Sequence, residues 1–316
     1  MKIVMLEPIG VSEEMLNSLS NPLRAKGHVV ELSTSPLSPE EKAKRIKEAD
    51  IAIIANSPLQ AEMVESASNL KMISVAFTGV DHVPQDACKA KGVLVSNAQG
   101  YATIAVRDLV FGLVFACICN LKPCDIAVRA GGTKDGLVGD EIDGKVFGII
   151  GYGAIGKAVA LVAKAFGCQV LAYTLGVNPG ESDSIVNFAS FDEVLSKSDI
   201  ISLHTPLTDE TKGMIGAEEI AKMKPSAILI NTARGPVVDS KALAEALNTD
   251  KIAAAGIDVF DIEPPLNMDE PLLEAKNTIL MPHIGFATKQ SMVKRANIVF
   301  DNITHWLEGN PQNVKF

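Results

Sequence analysis

Residues 145–156 read Lys-Val-Phe-Gly-Ile-Ile-Gly-Tyr-Gly-Ala-Ile-Gly, an apolar run that leads directly into three closely spaced glycines. The apolar run predicts a buried strand at Val146–Ile150, and the glycines form the pattern G-x-G-x-x-G at the start of a predicted helix. In this context Gly151 makes a tight turn, Gly153 lets the backbone approach a pyrophosphate, and Gly156 lets the helix pack close to the sheet. The helix N-terminus supplies N–H donors for the phosphates. This strand, turn and helix predict a dinucleotide-binding domain.

Apolar runs alternate with helical patterns on both sides of this fingerprint, which is typical of parallel sheets. The strands predicted before it are Lys2–Leu6, His28–Leu32, Ile51–Ala55, Lys71–Phe77 and Val93–Ser96. The strands predicted from it onward are Val146–Ile150, Gln169–Thr174, Asp199–His204, Ala227–Asn231, Ala254–Val259 and Thr278–Met281. The two sets predict an α/β protein with two doubly wound parallel-sheet domains.

A long apolar helix is predicted at Thr103–Asn120 and an irregular stretch at Ala130–Gly144, both between the two sets of strands. A short helix is predicted at Leu272–Ala275 within the second set, and an amphipathic helix at Lys289–Glu308 after that set. The last of these has no strand after it, so we expect it to pack back on the first domain.

Composition and charge exclude several classes of protein. Of the 316 residues, 47% are hydrophobic and 21% are charged, which excludes disordered and disulfide-stapled chains. The formal net charge of −9 gives no general attraction for nucleic acid or an anionic membrane. The longest apolar run, Leu109–Cys119, is shorter than the roughly 20 residues of a membrane span. Met1–Leu6 lacks the pattern of a secretion signal.

The cysteines point to a reducing compartment. Five is an odd number, and a chain of this length does not depend on disulfides, so we expect a cytoplasmic protein. Cys117, Cys119 and Cys124 lie close together in an apolar segment without a histidine at metal-binding spacing. They are interpreted as buried structural thiols, and no metal site is predicted.

The choice between NAD and NADP stays open at the level of sequence. An acidic residue about 20 positions after the fingerprint normally binds the ribose 2′-hydroxyl of NAD. Here Thr174 occupies that place, which removes a charge that repels the 2′-phosphate of NADP. No Arg or Lys follows at Leu175–Gly180 to bind that phosphate. We therefore expect NAD, with NADP not excluded.

Polar and titratable residues follow several strands of the second set. They are His204, Thr205 and Pro206, then Asn231 to Gly235, Asp258 and His283, with Glu263 on the loop after Asp258. Because the carboxyl ends of parallel strands meet at one edge of a sheet, these residues are expected at the ligand-binding edge. Glu263 precedes a proline, which favours an extended backbone at that residue.

Three of these residues fit the reduction of a 2-oxo acid. Arg234 presents a planar set of donors suited to a carboxylate. Imidazole gains and loses a proton near neutral pH, so His283 suits the protonation of the carbonyl oxygen. Glu263 would accept the other ring N–H of His283 and favour the imidazolium.

The chain resembles the D-isomer-specific 2-hydroxyacid dehydrogenase family along nearly its whole length. The matching stretches are Gly148–Gly156, Leu203–Thr208, Ile230–Asp239, Ala255–Phe260 with Glu263-Pro264, and Pro282–Gly285. The resemblance implies a Rossmann cofactor domain at 100–286, inserted in a flavodoxin-like substrate domain at 1–99 and 287–316. It also implies a homodimer formed through the cofactor domain.

The resemblance assigns residues to three roles. The catalytic set is Arg234, Glu263 and His283. The cofactor set is Gly151, Gly153, Ala154, Ile155, Thr174, His204, Thr205, Pro206, Thr232, Ala233, Arg234, Asp258, His283 and Gly285. The substrate set is Thr78, Gly79, Val80, Tyr101, Arg234 and His283, in which the backbone N–H groups of the Thr78 loop hold the substrate carboxylate.

The chain also departs from the family pattern. Thr174 replaces the usual Asp, Asn120 stands where the long helix commonly ends in Arg, and Arg107-Asp108 replaces an Ala-Glu pair. The first departure concerns the cofactor and the other two concern packing or the dimer interface. The expected substrate is a small 2-oxo acid or D-2-hydroxy acid, such as hydroxypyruvate, glyoxylate or a longer analogue.

Two alternative functions remain on the same scaffold. One is an NAD-sensing, corepressor-like binding protein, against which the lack of a basic face counts. The other is formate or phosphite oxidation, which is weaker because formate dehydrogenases of this superfamily usually carry Gln at the position of Glu263.

Overall fold

The structure of the protein is a computed structural model that describes residues 1–263 and 265–316. Pro264, which we expected to hold Glu263 extended, lies outside the described residues. The chain divides into two compact units. Unit 1 consists of residues 1–102 and 287–316, and unit 2 consists of residues 103–286.

The helices and strands follow one another along the chain with an almost regular alternation. In chain order they are β1 (Lys2–Met5), α1 (Glu13–Ala25), β2 (Val29–Glu31), α2 (Pro39–Lys47), β3 (Ile51–Ile54), α3 (Ala61–Ser66), β4 (Met72–Val75), α4 (Gln85–Lys91), β5 (Leu94–Asn97), α5 (Thr103–Ile118), α6 (Leu121–Arg129), β6 (Val146–Ile150), α7 (Ala154–Ala165), β7 (Gln169–Tyr173), β8 (Asn187–Phe188), α8 (Phe191–Lys197), β9 (Ile200–Leu203), α9 (Ala217–Lys222), β10 (Ile228–Asn231), α10 (Ser240–Asn248), β11 (Ala254–Ile257), β12 (Thr278–Leu280) and α11 (Lys289–Leu307). Short 3-10 helices lie at Gly235–Val237 and Pro271–Leu273.

Unit 1 is built on a parallel sheet with the strand order β2-β1-β3-β4-β5. Strands β3 and β4 are buried along their whole length, as expected where helices cover both faces of a parallel sheet. Helix α11 packs against β4 and β5, and Ser74 on β4 donates its hydroxyl to the carbonyl of Val299 at 3.1 Å. The order is that of the flavodoxin-like fold, and the C-terminal helix packs on the first domain as expected.

Unit 2 is built on a parallel sheet with the order β12-β11-β10-β9-β6-β7-β8. The order reverses between β6 and β9, which is the switch point where Rossmann folds bind ligands. Ile150 at the end of β6 is in register with Tyr173 on β7 and Leu203 on β9, so these three strands end at the same level. The expected fold class is therefore confirmed, with the Rossmann unit inserted in the flavodoxin-like unit.

The long apolar helix is shorter than the sequence indicates. Helix α5 ends at Ile118, and Asn120 adopts a left-handed backbone with φ +52°. Asparagine tolerates this conformation, and its side-chain amide donates to the carbonyls of Leu137 and Val138 at 3.4 and 3.3 Å. A second helix, α6, follows at an angle of 57° to α5, at residues for which the sequence pattern predicted no helix.

Two smaller expectations were wrong. The segment Leu272–Ala275 is not an α-helix, because the turn at Pro271–Leu273 is of the 3-10 type. None of the three neighbouring cysteines is fully buried, since Cys117 and Cys124 are half-buried and Cys119, beyond the end of α5, is exposed. Cys117 remains within the helix, and burial raises the pKa of its thiol to about 12.

No single helix of the described residues is long and apolar enough to cross a membrane. Taken together, the bent pair α5 and α6 meets the requirement by length and composition alone.

Candidate active site

The glycine fingerprint forms a sharp turn at the carboxyl end of β6. Gly151 has φ +98°, and its N–H donates to the carbonyl of Tyr173 at 2.8 Å. A Cβ on Gly151 would lie 2.7 Å from the backbone of His204, and a Cβ on Gly156 would lie 2.1 Å from the carbonyl of Gly151. Gly153, by contrast, faces open space. The first and third glycines are thus required by packing, and the second leaves room for a ligand to approach the N-terminus of α7.

Buried hydroxyl groups lie beyond the ends of two neighbouring strands. The side-chain oxygens of Thr205, after β9, and of Thr232, after β10, are buried without a hydrogen-bond partner among the described residues. Buried polar atoms are normally satisfied, so these two mark a surface that a polar ligand completes. Thr174 lies half-buried directly after β7, at the expected ribose position. These features fit a nicotinamide dinucleotide.

His204 lies between the fingerprint and this surface. Its Nε2 is 3.0 Å from the hydroxyl of Ser202, and its backbone N–H donates to the carbonyl of Ile150 at 2.7 Å. Burial lowers the pKa of His204 to about 3. The ring is therefore neutral at physiological pH and adds no positive charge for a phosphate group.

The loop that carries Arg234 is held by the side chain of Asn231. The Oδ1 atom of Asn231 accepts the N–H of Ala233 at 3.0 Å, and its Nδ2 donates to the carbonyl of Arg234 at 2.9 Å. The guanidinium Nη1 donates to the carbonyl of Ala233 at 2.7 Å. A Cβ on Gly235 would lie 2.0 Å from the backbone of Phe260, so the loop must pass close to the neighbouring one.

His283 and Glu263 form a direct pair. The Nδ1 atom of His283 lies 2.8 Å from Oε2 of Glu263, and the two side chains are 18% and 48% exposed. Because a carboxylate only accepts hydrogen bonds, this contact places a proton on Nδ1. The edge of the His283 ring also meets the ring of Phe286, with 5.6 Å between centroids. The pair fixes both the tautomer and the direction of the imidazole.

Asp258 anchors the backbone on either side of the histidine. Its carboxylate accepts the N–H groups of Ile284 and Gly285, both at 2.8 Å, and its carbonyl accepts the N–H of His283 at 2.8 Å. Asp258 is 1% exposed, and this burial raises its pKa above the usual range while the two N–H bonds oppose the rise. His283 itself has a left-handed backbone with φ +53°, which the three bonds hold in place.

The predicted substrate residues of unit 1 lie at the carboxyl ends of its strands. The loop that carries Thr78, Gly79 and Val80 follows β4, with Thr78 exposed and the other two half-buried. Tyr101 follows β5 and is 2% exposed, with its ring 6.3 Å from that of Phe77.

A buried arginine is also present in unit 1. Arg295 on α11 is 4% exposed, donates from Nη2 to the carbonyl of Ile9 at 2.6 Å and lies 5.7 Å from the ring of Tyr101. Burial lowers the pKa of its guanidinium, and the neighbouring Tyr101 and Glu7 oppose this.

Two positioning features could not be found from the sequence. The role of Asn231 depends on two hydrogen bonds to a loop that turns back, and the strained backbone of His283 depends on Asp258, 25 positions earlier. The only signal for the first is a polar residue closing an otherwise apolar strand. The sequence offers no signal for the second.

Comparison with known proteins gives a family and several close relatives. A sequence model described as the NAD binding domain of D-isomer specific 2-hydroxyacid dehydrogenase matches residues 111–285. The chain is 38% identical to hydroxypyruvate reductase of Blautia hydrogenotrophica over 288 residues, which cover 89% of each chain. It is 41% identical to glycerate dehydrogenase of Methylorubrum extorquens over 290 residues, covering 89% of this chain and 90% of the relative. An acyclic imino acid reductase, solved with NADPH and D-Arg, has the same fold with a TM-score of 0.90, 29% identity and full coverage of both chains.

Proposed function

Because the chain belongs to the D-isomer-specific 2-hydroxyacid dehydrogenase family, we propose that it interconverts small 2-oxo acids and D-2-hydroxy acids. It is an NAD(P)-dependent oxidoreductase of that family. Relatives named hydroxypyruvate reductase, glycerate dehydrogenase and glyoxylate reductase support substrates of hydroxypyruvate or glyoxylate size. The proposal also includes a longer analogue. In this proposal unit 2 binds the cofactor and unit 1 binds the substrate, with boundaries near residues 100 and 287.

The pair of His283 and Glu263 is the observation that carries the proposal. With Nδ1 bonded to Glu263 at 2.8 Å, Nε2 is the ring nitrogen that we assign to the substrate oxygen. In reduction it donates a proton to the carbonyl oxygen, and Glu263 stabilises the imidazolium before that transfer. The nicotinamide cofactor, when bound, supplies the hydride.

Arg234 and the Thr78 loop are assigned to the substrate carboxylate. The planar guanidinium of Arg234 suits a carboxylate, and Asn231 fixes the loop from which it extends. Backbone N–H groups at Gly79 and Val80 are assigned to the same carboxylate, with Tyr101 beside the substrate side chain. A 2-oxo acid bound through its carboxylate presents its carbonyl in a single orientation, which the proton donor requires.

The cofactor contacts follow from the turn and the strand ends of unit 2. The N–H groups at Gly153, Ala154 and Ile155 are assigned to the pyrophosphate, and Thr174 to the adenosine ribose. The remaining contacts are assigned to His204, Thr205, Pro206, Thr232, Ala233, Asp258 and Gly285. Since the hydroxyl of Thr174 can bond a ribose hydroxyl but cannot neutralise a phosphate, we expect NADH to be preferred modestly.

A homodimer through unit 2 is part of the proposal. Helix α6 has no buried residue, and Leu121, Ile126 and Val128 are 52, 58 and 72% exposed. A cavity of about 610 Å³ lies between α6 and the amino ends of the neighbouring strands. A second copy that covered this apolar face would remove it from water. Sedimentation velocity tests this, since Ile126→Glu should give monomers while the change Val29→Glu, at an exposed position in unit 1, should not.

The five thiols suit a reducing compartment, so we place the enzyme in the cytoplasm. All five cysteines are free in the structure.

A substrate panel tests the proposed activity. Glyoxylate, hydroxypyruvate, pyruvate and longer 2-oxo acids are mixed with the enzyme and either NADH or NADPH, and cofactor oxidation is followed at increasing enzyme concentration. Turnover of at least one 2-oxo acid to the D-2-hydroxy acid is expected, and His283→Ala serves as the matched inactive control. Binding of NADH without turnover of any 2-oxo acid would favour the cofactor-sensing alternative.

A further inference from the structure

A buried asparagine in unit 1 holds the loop that we assign to the substrate carboxylate. Asn97 is the last residue of β5 and is 1% exposed. Its Nδ2 donates to the carbonyl of Thr78 at 2.5 Å. Thr78 belongs to the loop after β4, the strand that pairs with β5, so the side chain bridges the ends of two adjacent strands.

The orientation of the Asn97 side-chain amide follows from the hydrogen-bonding capacity of the Thr78 carbonyl. The Thr78 carbonyl is an acceptor only, so the NH₂ group of Asn97 must face it, since a flipped amide would oppose two oxygens. In this orientation Oδ1 of Asn97 is buried and has no hydrogen-bond partner among the described residues. An unsatisfied buried acceptor costs about 1–3 kcal/mol. The hydrogen bond to the Thr78 carbonyl is thus formed at the expense of an unsatisfied Oδ1 on Asn97.

Planarity of the peptide bond carries the effect from Thr78 to Gly79. The carbonyl of Thr78 and the N–H of Gly79 belong to one trans peptide unit and point in opposite directions. With the carbonyl directed at Asn97, the N–H of Gly79 is directed away from Asn97.

We propose that Asn97 is a positioning residue that aims the Gly79 N–H at the substrate carboxylate. The inference rests on the proposed function of the Thr78 loop. It names the side chain of this chain that orients that loop.

The backbone of Asn97 is itself held from two sides. Its carbonyl accepts Nδ2 of Asn302 on α11 at 2.9 Å, and its N–H donates to the carbonyl of Asn313 at 3.1 Å. Asn313 also donates its side-chain amide to Oδ1 of Asn302 at 2.8 Å. Asn302 is fully buried. The C-terminal helix and the segment after it therefore hold Asn97, which in turn holds the Thr78 loop.

A purely structural role predicts a different response from a positioning role. If Asn97 only stabilised unit 1, its substitution would lower the melting temperature and leave the constants of the folded enzyme unchanged. A positioning role predicts a rise in KM for the 2-oxo acid, with KM for NADH unchanged. The two roles are separable because truncation also removes the unsatisfied Oδ1, which limits the loss of stability.

The experiment compares Asn97→Ala and Asn97→Asp with Ser20→Ala. The control change removes a hydrogen bond of another fully buried residue of unit 1, whose hydroxyl donates to the carbonyl of Asn17 at 3.0 Å within α1. Steady-state constants are measured for the best 2-oxo acid of the panel and for NADH. Calorimetry with oxamate, an unreactive analogue of a 2-oxo acid, gives binding independently of turnover.

Asn97→Ala is expected to raise KM for the 2-oxo acid and Kd for oxamate about tenfold, which corresponds to the loss of one hydrogen bond. Asn97→Asp is expected to raise both further, because an ionised carboxylate faces the Thr78 carbonyl and repels the substrate. Ser20→Ala should match the wild type. An active wild type in which Asn97→Ala keeps its KM and Kd within twofold overturns the inference about Asn97. An inactive wild type instead refutes the proposed function.

Discussion

Asp258→Ala removes the carboxylate that accepts two backbone N–H groups next to His283. Both bonds are 2.8 Å long, and their donors, Ile284 and Gly285, lie in the segment that follows β12. A hydrogen bond to a charged group contributes about 1.5–3 kcal/mol, and the unfavourable burial of the carboxylate offsets part of this gain. We expect a net loss of stability of about 2–3 kcal/mol. For a domain of this size the melting temperature should fall by roughly 4–12 °C.

The effect on turnover should exceed the effect on stability. His283 has φ +53°, a conformation that costs a residue with a side chain about 1–2 kcal/mol. Without the two bonds the segment can relax, and a shift of about 1 Å in a catalytic group lowers the rate about a hundredfold. We therefore expect kcat of Asp258→Ala to fall about a hundredfold at temperatures where the variant is fully folded.

The assay combines thermal unfolding followed by circular dichroism with steady-state reduction of a 2-oxo acid at 20 °C. Asp258→Asn keeps one acceptor and should lie between the wild type and Asp258→Ala in both measurements. Asp261→Asn, at an exposed carboxylate three positions further along, is the matched control and should be close to wild type. If Asp258→Ala loses stability but keeps kcat within threefold, the carboxylate does not hold His283 in its catalytic position.

Three further predictions concern the carboxylate, the cofactor and acid stability. Arg234→Lys should raise KM for the 2-oxo acid and lower kcat, because an ammonium lacks the planar pair of donors; near wild-type constants would remove Arg234 from the site. Thr174→Asp should sharpen the preference for NADH mainly by raising KM for NADPH, and a strong preference of the wild type for NADPH would contradict the role assigned to Thr174. The pKa of His204 is lowered to about 3, so between pH 6.5 and pH 3 the imidazole is protonated in the unfolded chain and neutral in the folded protein. The contribution of His204 to the free energy of unfolding is therefore complete above pH 6.5 and is lost as the pH falls toward 3. His204→Gln should remove this slope of about 1.4 kcal/mol per pH unit in denaturant titrations, whereas His305→Gln should retain it.

The sheets were predictable because their strands are short, apolar and bounded by polar residues. Strands β3, β6 and β9 lie within one or two residues of their predicted bounds, since strands buried on both faces read as continuous apolar runs. The glycine fingerprint was informative for the same reason, as its context is a strand followed by a helix.

The segments that were missed depend on interactions distant in sequence. The break between α5 and α6 requires the contacts of Asn120 with Leu137 and Val138, and neither pattern nor propensity reports them. The two-residue strand β8 exists only through its pairing with β7. Cys119 is exposed because the helix ends one residue earlier, so an error in a boundary became an error in burial.

The identity of the residues suggested the catalytic set, but the hydrogen bonds that hold these residues in place are visible only in the structure. Arg234, Glu263 and His283 stand out because cationic, acidic and titratable groups follow strand ends. The positioning residues Asn97, Asn231 and Asp258 are ordinary polar residues, so only their hydrogen bonds distinguish them from other buried polar groups.

The joint action of His283 and Glu263 as the proton donor is tested by the pH dependence of kcat/KM for reduction, measured for the wild type and for Glu263→Gln. The amide oxygen of the variant can still accept a hydrogen bond from Nδ1 of His283, which lies 2.8 Å from the Glu263 carboxylate in the wild type. The amide carries no charge, however, and so does not stabilise the imidazolium. We predict that in the variant the alkaline limb of the profile moves to lower pH, with KM for NADH unchanged. An alkaline limb that stays in place would contradict it.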